Sequence, residues 1–297
     1  MDKNSTIFIT GGSGFVGSNL IRLLKEEYKL LQYEKNKPLA VNEDVVIHLA
    51  GKAHDIKNVS VSKEYYDVNT ELTKQVFDAF LQSDAKVFIT LSSVKAVADS
   101  MEGDLVEDCP PNPQTHYGKS KLLAEQYILS KQLPANKHVY ILRPSMIHGP
   151  GNKGNLNLLY SLVSKGLVWP LGAFNNKRSF CSIENLLFIL KELIERQGIP
   201  SGVYNVADDE PLSTNEIILL IAASKSRKPK IWKIPPILIN TIAKVGDTFN
   251  LSLNSERLHK LTSSYVVRNN KIKNAIGKPL PVNSKEGLLK TFKSFEA

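Results

Sequence analysis

The stretch HYGKSK places a tyrosine four residues before a lysine, at Tyr117 and Lys121. On a helix, side chains at this spacing lie on one face, with Cβ atoms about 5–6 Å apart. A tyrosine hydroxyl has an ordinary pKa of about 10, and a neighbouring positive charge lowers that pKa toward neutral pH. The pair is therefore a candidate for taking a proton from a substrate hydroxyl group and returning it.

The same tyrosine–lysine interval also begins at Tyr33 and Tyr127, so the spacing alone does not select a catalytic residue. The upstream sequence separates the three tyrosines. Tyr117 follows a predicted strand that ends in Ser92 and Ser93, whose hydroxyl groups could orient a substrate. Tyr33 has no such serine upstream, and Tyr127 lies deep within its predicted helix. We therefore expect Tyr117 to be the acid–base residue.

A glycine-rich turn, ITGGSGFVGSN, lies between the first predicted strand and the first predicted helix. In such a turn the first glycine permits a tight bend, the second lets the backbone approach a pyrophosphate, and the third allows close helix packing. The amides at the helix N-terminus then bind the phosphates. The turn predicts a dinucleotide-binding site at Gly11, Gly14, Phe15, Val16 and Gly17.

The choice of dinucleotide depends on the stretch LLQYEKNKP that follows. An acidic residue about 20 positions beyond the glycine turn binds the adenosine ribose of NAD, and Glu34 could take this role. Lys35 and Lys37 are the competing signal, because they could receive the 2′-phosphate of NADP. NAD is the favoured cofactor and NADP the alternative.

These residues belong to a chain in which strand-like and helix-like segments alternate. The alternation is typical of an α/β fold with a doubly wound parallel sheet. Ligands of such sheets bind beyond the carboxyl ends of the strands, so we expect the glycine turn, the serine pair and Tyr117 to meet there. The predicted strands are TIFIT, 44–51, 86–93 and 138–151, and the predicted helices include SNLIRLLKEEY and 117–133.

Beyond about residue 150 the pattern loosens into shorter elements and loops rich in Gly, Asn and Pro. We predict a dinucleotide-binding domain at 1–150 and a smaller, mainly substrate-binding lobe at 151–297, from which some segments could return to the first domain. The site is expected in the cleft between them. The apolar stretch IPPILINTIAKVG, 234–246, is interpreted as a helix packed against a core.

Composition and charge exclude several classes of function. The formal charge is +9, but the basic residues are dispersed, and their densest runs lack the interleaved aromatics of a base-stacking surface. We expect no nucleic-acid partner, and a small anionic ligand instead. Two cysteines without a Cys/His cluster argue against a disulfide framework and a metal site. There is no bilayer-spanning apolar run and no secretory signal pattern, which predicts a cytoplasmic protein.

Seven short segments carry a resemblance to a known family. The chain resembles an extended short-chain dehydrogenase/reductase of the NAD-dependent nucleotide-sugar epimerase/dehydratase family, with the pattern closest to UDP-glucose 4-epimerase-like members. The resemblance covers most of the chain and implies a Rossmann domain with a smaller C-terminal substrate-binding lobe. In chain order the segments are TGGSGFVG, VIHLAG, EYYDVNTELT, LSS, YGKSK, LRPSMIHGPG and KRSFCSIENL.

The resemblance implies NAD(P)-dependent redox chemistry at C4 of a UDP-hexose or UDP-N-acetylhexosamine, with 4-epimerisation through a transient 4-keto sugar as the first reading. A UDP-4-keto-6-deoxy-sugar 4-reductase is the alternative enzyme. A non-catalytic dinucleotide-binding sensor or scaffold is the alternative of another class. The implied partner is a UDP-sugar, and the oligomeric state is left open, with a homodimer considered.

The resemblance also implies roles for single residues. Val94 stands where the family usually carries a catalytic serine or threonine, so the role moves to Ser93, with Ser92 as substitute. Lys121 would hold the nicotinamide ribose. The remaining implied residues contact the cofactor, at Leu49, Ala50, Gly51 and Asn69, or the substrate diphosphate, at Asn155 and Arg178.

Two further departures from the family pattern affect the cofactor and substrate pockets. The segment 31–43 lacks a strand–helix unit that family members usually have, which leaves the adenine pocket open to question. Met146 stands where some 4-epimerases carry a polar substrate contact, so the sequence does not select one UDP-sugar.

Overall fold

A computed structural model of the chain describes residues 5–35, 37–53, 62–152, 154–196, 198–249 and 254–295, without the side chain of Asn155. Ten strands occur in these residues. In chain order they are β1 (Thr6–Thr10), β2 (Lys29–Gln32), β3 (Val45–His48), β4 (Val87–Leu91), β5 (Asp104–Leu105), β6 (His138–Pro144), β7 (Met146–His148), β8 (Phe180–Ser182), β9 (Gly202–Val206) and β10 (Val266–Val267).

Eleven α-helices are found in the same described ranges. They are α1 (Phe15–Leu24), α2 (Ser62–Tyr66), α3 (Leu72–Gln82), α4 (His116–Leu129), α5 (Asn155–Ser164), α6 (Ile183–Glu195), α7 (Thr214–Ser224), α8 (Pro236–Thr248), α9 (Ser255–Thr262), α10 (Asn270–Ile276) and α11 (Ser284–Lys293). A π-helical turn, Asp67–Glu71, joins α2 to α3 in one continuous helical run, and a 3-10 turn, Val94–Ala96, follows β4.

The central sheet has six strands in the order β2-β1-β3-β4-β6-β9, and every neighbouring pair is parallel. The chain runs outward from β1 to β2 and then returns to the other side of β1 with β3. The carboxyl ends of β1 and β3 therefore flank the point where the strand order reverses. Ligands of open parallel sheets bind at such a point.

Helices cover both faces of this sheet. Along β1, Ile7 and Ile9 are buried in an apolar cluster that includes Leu20 of α1. Phe8 points to the opposite face, where it packs in a second cluster with Phe77 of α3. Parallel strands that are covered on both faces read as continuous apolar runs, as TIFIT does. The predicted doubly wound parallel sheet is confirmed.

The prediction of one strand over 138–151 is wrong. The backbone amide of Ser145 still donates to the carbonyl of Val206 at 2.9 Å, and the chain then leaves the central sheet. β7 pairs instead with β8, in a separate two-stranded parallel sheet. The apolar pattern continues through both strands, and such a pattern does not reveal a change of partner strand.

The expected shortness of the segment after β2 is confirmed. Among residues 33–35 and 37–44 there is neither a strand nor a helix before β3 begins at Val45. β2 is consequently the outermost strand on its side of the central sheet.

Two apolar clusters lie away from the sheet, in the later part of the chain. One joins α7 and α11 through Ile217 and Leu288, and the other joins α8 and α9 through Ile239 and Leu258. β9 also lies beyond residue 150, but it pairs with β6 in the central sheet. The chain thus leaves the sheet and returns to it, and a domain boundary at residue 150 stays a prediction.

The helix expected at 234–246 is present as α8, but only one narrow side of it packs against the protein. Ile239, Ala243 and Gly246 are buried on that side. The other large apolar side chains of α8 are exposed, so the expected packing against a core holds for this one side. Among the described helices, none combines the length and the apolar character that crossing a bilayer demands.

Candidate active site

The glycine turn is built so that backbone approaches backbone. Gly11 has a φ of +72°, in the left-handed region that favours glycine, and a Cβ there would lie 2.5 Å from the amide nitrogen of Ala50. A Cβ at Gly17 would collide with the carbonyl group of Gly11. Gly14 is the N-cap of α1 and provides no side-chain cap for the first amides of the helix. These amides are the groups that bind phosphate at such a turn.

The loop after β3 lies directly against this turn. The amide of Leu49 donates to the carbonyl oxygen of Thr10 at 3.1 Å, and the amide of Ala50 donates to the Thr10 hydroxyl at 3.2 Å. A Cβ at Gly51 would lie 3.0 Å from Nζ of Lys121. The structure therefore brings the predicted cofactor residues of this loop between the glycine turn and α4.

Asn69 is fully buried within the π-helical turn, a type of distortion that is frequent at functional sites. Its Oδ1 accepts a hydrogen bond from the amide of Lys52 at 2.8 Å. Its Nδ2 donates to the Lys52 carbonyl and to the Ser120 hydroxyl, each at 3.0 Å. Asn69 thus fixes the loop after β3 against α4, and its contact with the nicotinamide half stays a prediction.

Tyr117 lies in the first turn of α4, whose N-cap Thr115 accepts a hydrogen bond from the amide of Gly118 at 3.2 Å. Ser93, just beyond β4, lies close enough to the Tyr117 hydroxyl to lower its pKa by hydrogen bonding. The ring of Tyr65, from α2, packs edge-on against the Tyr117 ring with centroids 6.3 Å apart. Of the three tyrosines with the Tyr-x-x-x-Lys spacing, Tyr117 is thus the one that the structure joins to the serine pair.

The two serines differ in what their hydroxyl groups do. Ser93 accepts a hydrogen bond from the amide of Lys95 at 3.2 Å, besides its bond with Tyr117. The buried hydroxyl of Ser92 has no hydrogen-bond partner among the described residues. Ser93 therefore faces Tyr117, in line with the preference for Ser93 over Ser92.

Two effects on the pKa of Tyr117 oppose each other. Burial is the larger effect and raises the pKa of Tyr117, whereas the hydrogen bond with Ser93 lowers it. Burial dominates because the phenolate loses more hydration in the buried site than the neighbouring groups replace. A lowering of this pKa by Lys121 together with the charge of an oxidised nicotinamide stays a prediction.

Lys121 is itself buried and directed at the backbone of β4. Its Nζ donates to the carbonyl oxygen of Leu91 at 2.7 Å. Burial lowers the pKa of Lys121 to about 8, against the charge of Glu125, which raises it. Lys121 therefore still carries its proton in most molecules at neutral pH.

Glu34 is exposed, and its Oε1 accepts a hydrogen bond from Nζ of Lys37 at 3.0 Å. Gln32, the last residue of β2, comes closer to the glycine turn, because a Cβ at Gly12 would lie 2.5 Å from its Oε1. Gln32 was not predicted from the sequence, because the residue expected at this place is acidic. The signal that could have found it is its position at the carboxyl end of the second strand.

Arg178 is not a free surface charge. Its Nη2 donates to the Lys260 carbonyl at 2.7 Å, its Nε donates to the Ser263 carbonyl at 3.2 Å, and burial lowers its pKa. Burial lowers the pKa of Lys95, the charge of Asp99 opposes this shift, and the charges of Arg178 and Lys260 lower the pKa further. Lys95, two residues after Ser93, was missed by sequence reasoning. Together Lys95, Arg178 and Lys260 form a cationic cluster. Asn155, which was predicted to contact the same diphosphate as Arg178, has its side chain outside the described residues.

Comparison with known proteins adds a family and several relatives. The chain matches the pattern of the family described as "NAD dependent epimerase/dehydratase family" over residues 7–207. A UDP-glucose 4-epimerase of Vibrio cholerae is 31% identical over 98% of this chain and 95% of its own length. An N-acetyl-alpha-D-glucosaminyl-diphospho-ditrans,octacis-undecaprenol 4-epimerase of Escherichia coli O157:H7 is 27% identical over 78% of this chain and 76% of its own length.

Solved structures share the fold along the whole chain. The enzyme WbmG of Bordetella bronchiseptica, in complex with NAD and UDP, superposes with a TM-score of 0.75. The superposition covers 99% of this chain and 95% of WbmG, at 19% sequence identity. At this identity the likeness establishes the common fold.

Proposed function

Because the chain belongs to the NAD dependent epimerase/dehydratase family, we propose that it uses NAD to interconvert the C4 epimers of a UDP-hexose or a UDP-N-acetylhexosamine. The predicted family resemblance is confirmed by the family match. The observation that carries the proposal is the closeness of Ser93, at the carboxyl end of β4, to the Tyr117 hydroxyl, whose pKa it lowers. Lys121 on the same helix faces Gly51 of the loop beside the glycine turn, which supports an acid–base role for Tyr117 next to a bound dinucleotide.

The glycine turn and the loop after β3 fit a dinucleotide. Glycine at 11 lets the turn pack closely against the backbone of Leu49 and Ala50, and glycine at 51 leaves room for Nζ of Lys121. The first amides of α1 would bind the pyrophosphate, and Lys121, which faces Gly51, would hold the nicotinamide ribose. When bound, NAD supplies the group that accepts a hydride from C4 and gives it back.

The residues of this chain handle the proton and the orientation of the sugar. Oxidation at C4 releases a hydride and the hydroxyl proton and leaves a 4-keto sugar. Tyr117 takes that proton, and Ser93 holds the hydroxyl group of the sugar in line with it. Return of the hydride and the proton after the keto sugar has turned its other face gives the C4 epimer.

The cationic cluster is suited to the diphosphate of the substrate. Charge-assisted hydrogen bonds from guanidinium and ammonium groups to phosphate are among the strong ones in proteins. Arg178 is held by two backbone carbonyls, which fixes the direction of its guanidinium. Arg178, with Lys95 beside it, is the group that we propose grips the UDP diphosphate.

A second candidate substrate is a sugar that is joined through diphosphate to a polyprenyl lipid. The relative from Escherichia coli O157:H7 carries such a substrate in its name. The observation that favours it here is the exposed apolar side of α8. The chemistry at C4 would be the same, and only the group beyond the diphosphate would differ.

The cofactor separates the epimerase from a 4-keto reductase. An epimerase returns the hydride that it removed, so its cofactor can stay bound, whereas a reductase must exchange its cofactor in every turnover. Protein purified without added nucleotide and then denatured should release near-stoichiometric NAD. An empty protein that oxidises NADPH only in the presence of a UDP-4-keto-sugar would overturn the epimerase and establish the reductase.

Turnover assays test the site directly. Product chromatography on a panel of UDP-hexoses, UDP-N-acetylhexosamines and their polyprenyl-diphosphate counterparts should identify one substrate class.

Tyr117→Phe should lower turnover at least about a hundredfold while NAD stays bound, because a positioned acid–base group contributes about that much or more. Tyr127→Phe is the matched control, since Tyr127 has the same spacing to a lysine but bonds Asp78. Full activity of Tyr117→Phe would refute the site, and silence of the wild type on the whole panel would favour a non-catalytic dinucleotide-binding protein.

A further inference from the structure

Helix α8 has a second apolar face whose described side chains are exposed. Leu238, Ile242, Val245 and Phe249 follow one another at spacings of four, three and four residues, which aligns them along one side. They are between 47% and 70% exposed. We call these four side chains the α8 stripe.

The α8 stripe is separate from the side of the helix that packs against the protein. Ile239, Ala243 and Gly246 provide that packing. Trp232, which is 60% exposed, and Ile237 extend the apolar surface at the start of the helix. Contiguous exposed apolar surface on a folded protein marks a site of interaction with a protein or a membrane.

Positive charge surrounds this surface. Residues 225–249 contain six basic residues and one acidic residue, Asp247, which accepts hydrogen bonds from Ser255. The basic residues Lys228, Lys230, Lys233 and Lys244 are exposed. None of these four forms an ion pair with another residue of the described ranges, so their charges are available to an anionic partner.

A cavity of about 320 Å³ is lined in part by the basic segment that precedes α8. Its apolar wall includes Val163, Leu167 and Ile218, and its basic rim includes Lys228 and Lys230. An apolar wall below a cationic rim matches an anionic amphiphile, whose charged head meets the lysines while its hydrocarbon part meets the apolar wall.

We propose that α8, together with the basic segment 225–233, forms a surface that binds an anionic phospholipid bilayer. Helices that lie in the plane of a membrane interface combine an apolar face with lysine and arginine on the flanks, and their binding sums apolar burial and attraction to anionic lipids. A tryptophan beside such a helix suits the level of the lipid headgroups.

Charge decides between a bilayer and a second copy of this chain. Two copies that joined through the α8 stripe would bring two basic rims together, and like charges repel. An anionic bilayer complements the apolar stripe and the lysines at once. The proposal concerns attachment to a surface and does not depend on which sugar the enzyme converts.

Vesicle binding tests the proposal with the full-length chain. We expect the protein to float with vesicles that contain phosphatidylcholine and phosphatidylglycerol, and not with phosphatidylcholine alone. Binding should weaken in high salt, because salt screens exposed charges beyond a few ångströms. The wild-type protein staying unbound to the anionic vesicles, or binding both vesicle types equally, would overturn the proposal.

Variants locate the binding surface. Leu238→Asp with Phe249→Asp should lower vesicle affinity at least about tenfold, and so should Lys230→Glu with Lys233→Glu, since apolar burial and charge both contribute. Leu129→Asp is the matched control, because Leu129 is an exposed leucine at the end of α4. All variants should keep wild-type turnover on the soluble UDP-sugar. If the wild type does not convert that substrate, the variants should keep the wild-type midpoint temperature of thermal unfolding. Unchanged vesicle binding by both double variants would refute the assignment.

Tryptophan fluorescence gives an independent reading. The chain has two tryptophans, and Trp169 is buried whereas Trp232 is exposed beside α8. Anionic vesicles should shift the emission to shorter wavelength in the wild type, and Trp232→Phe should remove the shift. Emission unaffected by vesicles would contradict insertion. Concentration-dependent dimers that Leu238→Asp abolishes, without vesicle binding, would replace the proposal with an interface between two copies.

Discussion

At the scale of single residues, the site is defined by which hydroxyl group meets Tyr117. The two serines at the end of β4 are adjacent in sequence, and a strand turns adjacent side chains to opposite sides. Only Ser93 reaches Tyr117, and its hydrogen bond partly offsets the effect of burial on the Tyr117 pKa. The two serines should therefore differ sharply in their effect on the reaction.

We predict that Ser93→Ala lowers turnover by about tenfold to a hundredfold, toward the low end of what positioned proton-transfer groups contribute. The rise of activity with pH should also move to higher pH, because the variant loses the bond that lowers the Tyr117 pKa. Ser92→Ala should keep wild-type turnover. Steady-state rates between pH 6 and pH 10 on the identified UDP-sugar measure both effects, and a larger loss in Ser92→Ala would reverse the assignment.

His48 makes stability depend on pH. It is buried between the hydroxyls of Thr10 and Thr73, and burial, with the charge of Lys121, lowers its pKa from 6.5 to about 3. Since the folded pKa lies below the unfolded value, the unfolded chain takes up the proton first. The contribution of His48 is complete above pH 6.5 and is lost as the pH falls toward 3.

Each pH unit in this window should lower the free energy of unfolding by up to about 1.4 kcal/mol through His48. We predict that His48→Asn flattens the plot of unfolding free energy against pH between pH 6 and pH 4. The exposed His259 provides the control, since His259→Gln should leave the slope as in the wild type. Urea unfolding at a series of pH values is the measurement, and equal slopes for His48→Asn and the wild type would contradict the buried neutral state.

Residue types at the site were predictable where one chemical rule selects them. Tyr117, Ser93 and the glycines of the turn follow from spacing, strand ends and the needs of a phosphate-binding backbone. Gln32 and Lys95 were not predictable in this way, because an amide and a lone lysine occur in many contexts. The raising of the Tyr117 pKa by burial was not predictable either, since sequence spacing counts a nearby charge but not the hydration lost on burial.

At the scale of elements, α4 carries both Tyr117 and Lys121, so its attachment to the sheet sets the geometry of the site. A buried ion pair provides one attachment. Arg143 of β6 donates from Nε to Oε1 of Glu125 at 3.0 Å and from Nη2 to Oε2 at 2.6 Å. Both side chains are almost fully buried.

Removing one partner of a buried ion pair leaves an uncompensated charge inside the protein. We predict that Arg143→Met lowers the free energy of unfolding by about 3–5 kcal/mol. The double variant Arg143→Met with Glu125→Leu should recover most of that loss, because two apolar side chains need no partner. Urea denaturation of the wild type and the two variants measures these free energies of unfolding. A single variant as stable as the wild type would show that the pair does not hold α4.

The order of elements was predictable through β6, because helices and strands alternate with clear apolar periods. The split between β6 and β7 was not, since both strands are apolar and only the partner strand changes. The π-helical turn around Asn69 was also hidden, because one extra residue in a helical run leaves the apolar pattern almost intact. Sequence patterns indicate which residues are buried and with what period. The strand split and the π-helical turn depend instead on strand pairing and on local winding of the helix.

At the scale of the whole molecule, the site joins the central sheet to the later part of the chain. The glycine turn, Ser93 and Tyr117 belong to the sheet and its loops, whereas Arg178 is held by carbonyls of residues 260 and 263. The predicted division of ligand binding between the sheet and the later part of the chain stays a prediction. The backbone contacts that hold Arg178 were not predictable, because they join segments too distant in sequence to be paired by pattern alone.

We predict that Arg178→Ala weakens UDP binding by about tenfold to a hundredfold, the range for hydrogen bonds to a charged group. NAD binding should change little, because the contacts of Arg178 are with segments other than the glycine turn. The UDP affinity of Arg178→Lys should lie between those of Arg178→Ala and the wild type, since lysine keeps the charge and loses the fixed fork of donors. Isothermal titration with UDP and with NAD measures both, and equal losses for the two ligands would contradict the proposed grip.

The position of α11 has a consequence for how the protein is made. Thr291 of α11 bonds Nδ1 of His148 at 2.9 Å, across 143 residues of chain, and Leu288 and Phe292 are fully buried in a cluster with residues of α5 and α7. Translation delivers the chain from its N-terminus, and folding begins before synthesis is finished. The apolar surfaces of α5 and α7 that α11 covers therefore stay exposed to solvent until α11 has left the ribosome. The growing chain is thus the form of this protein that most needs protection by chaperones.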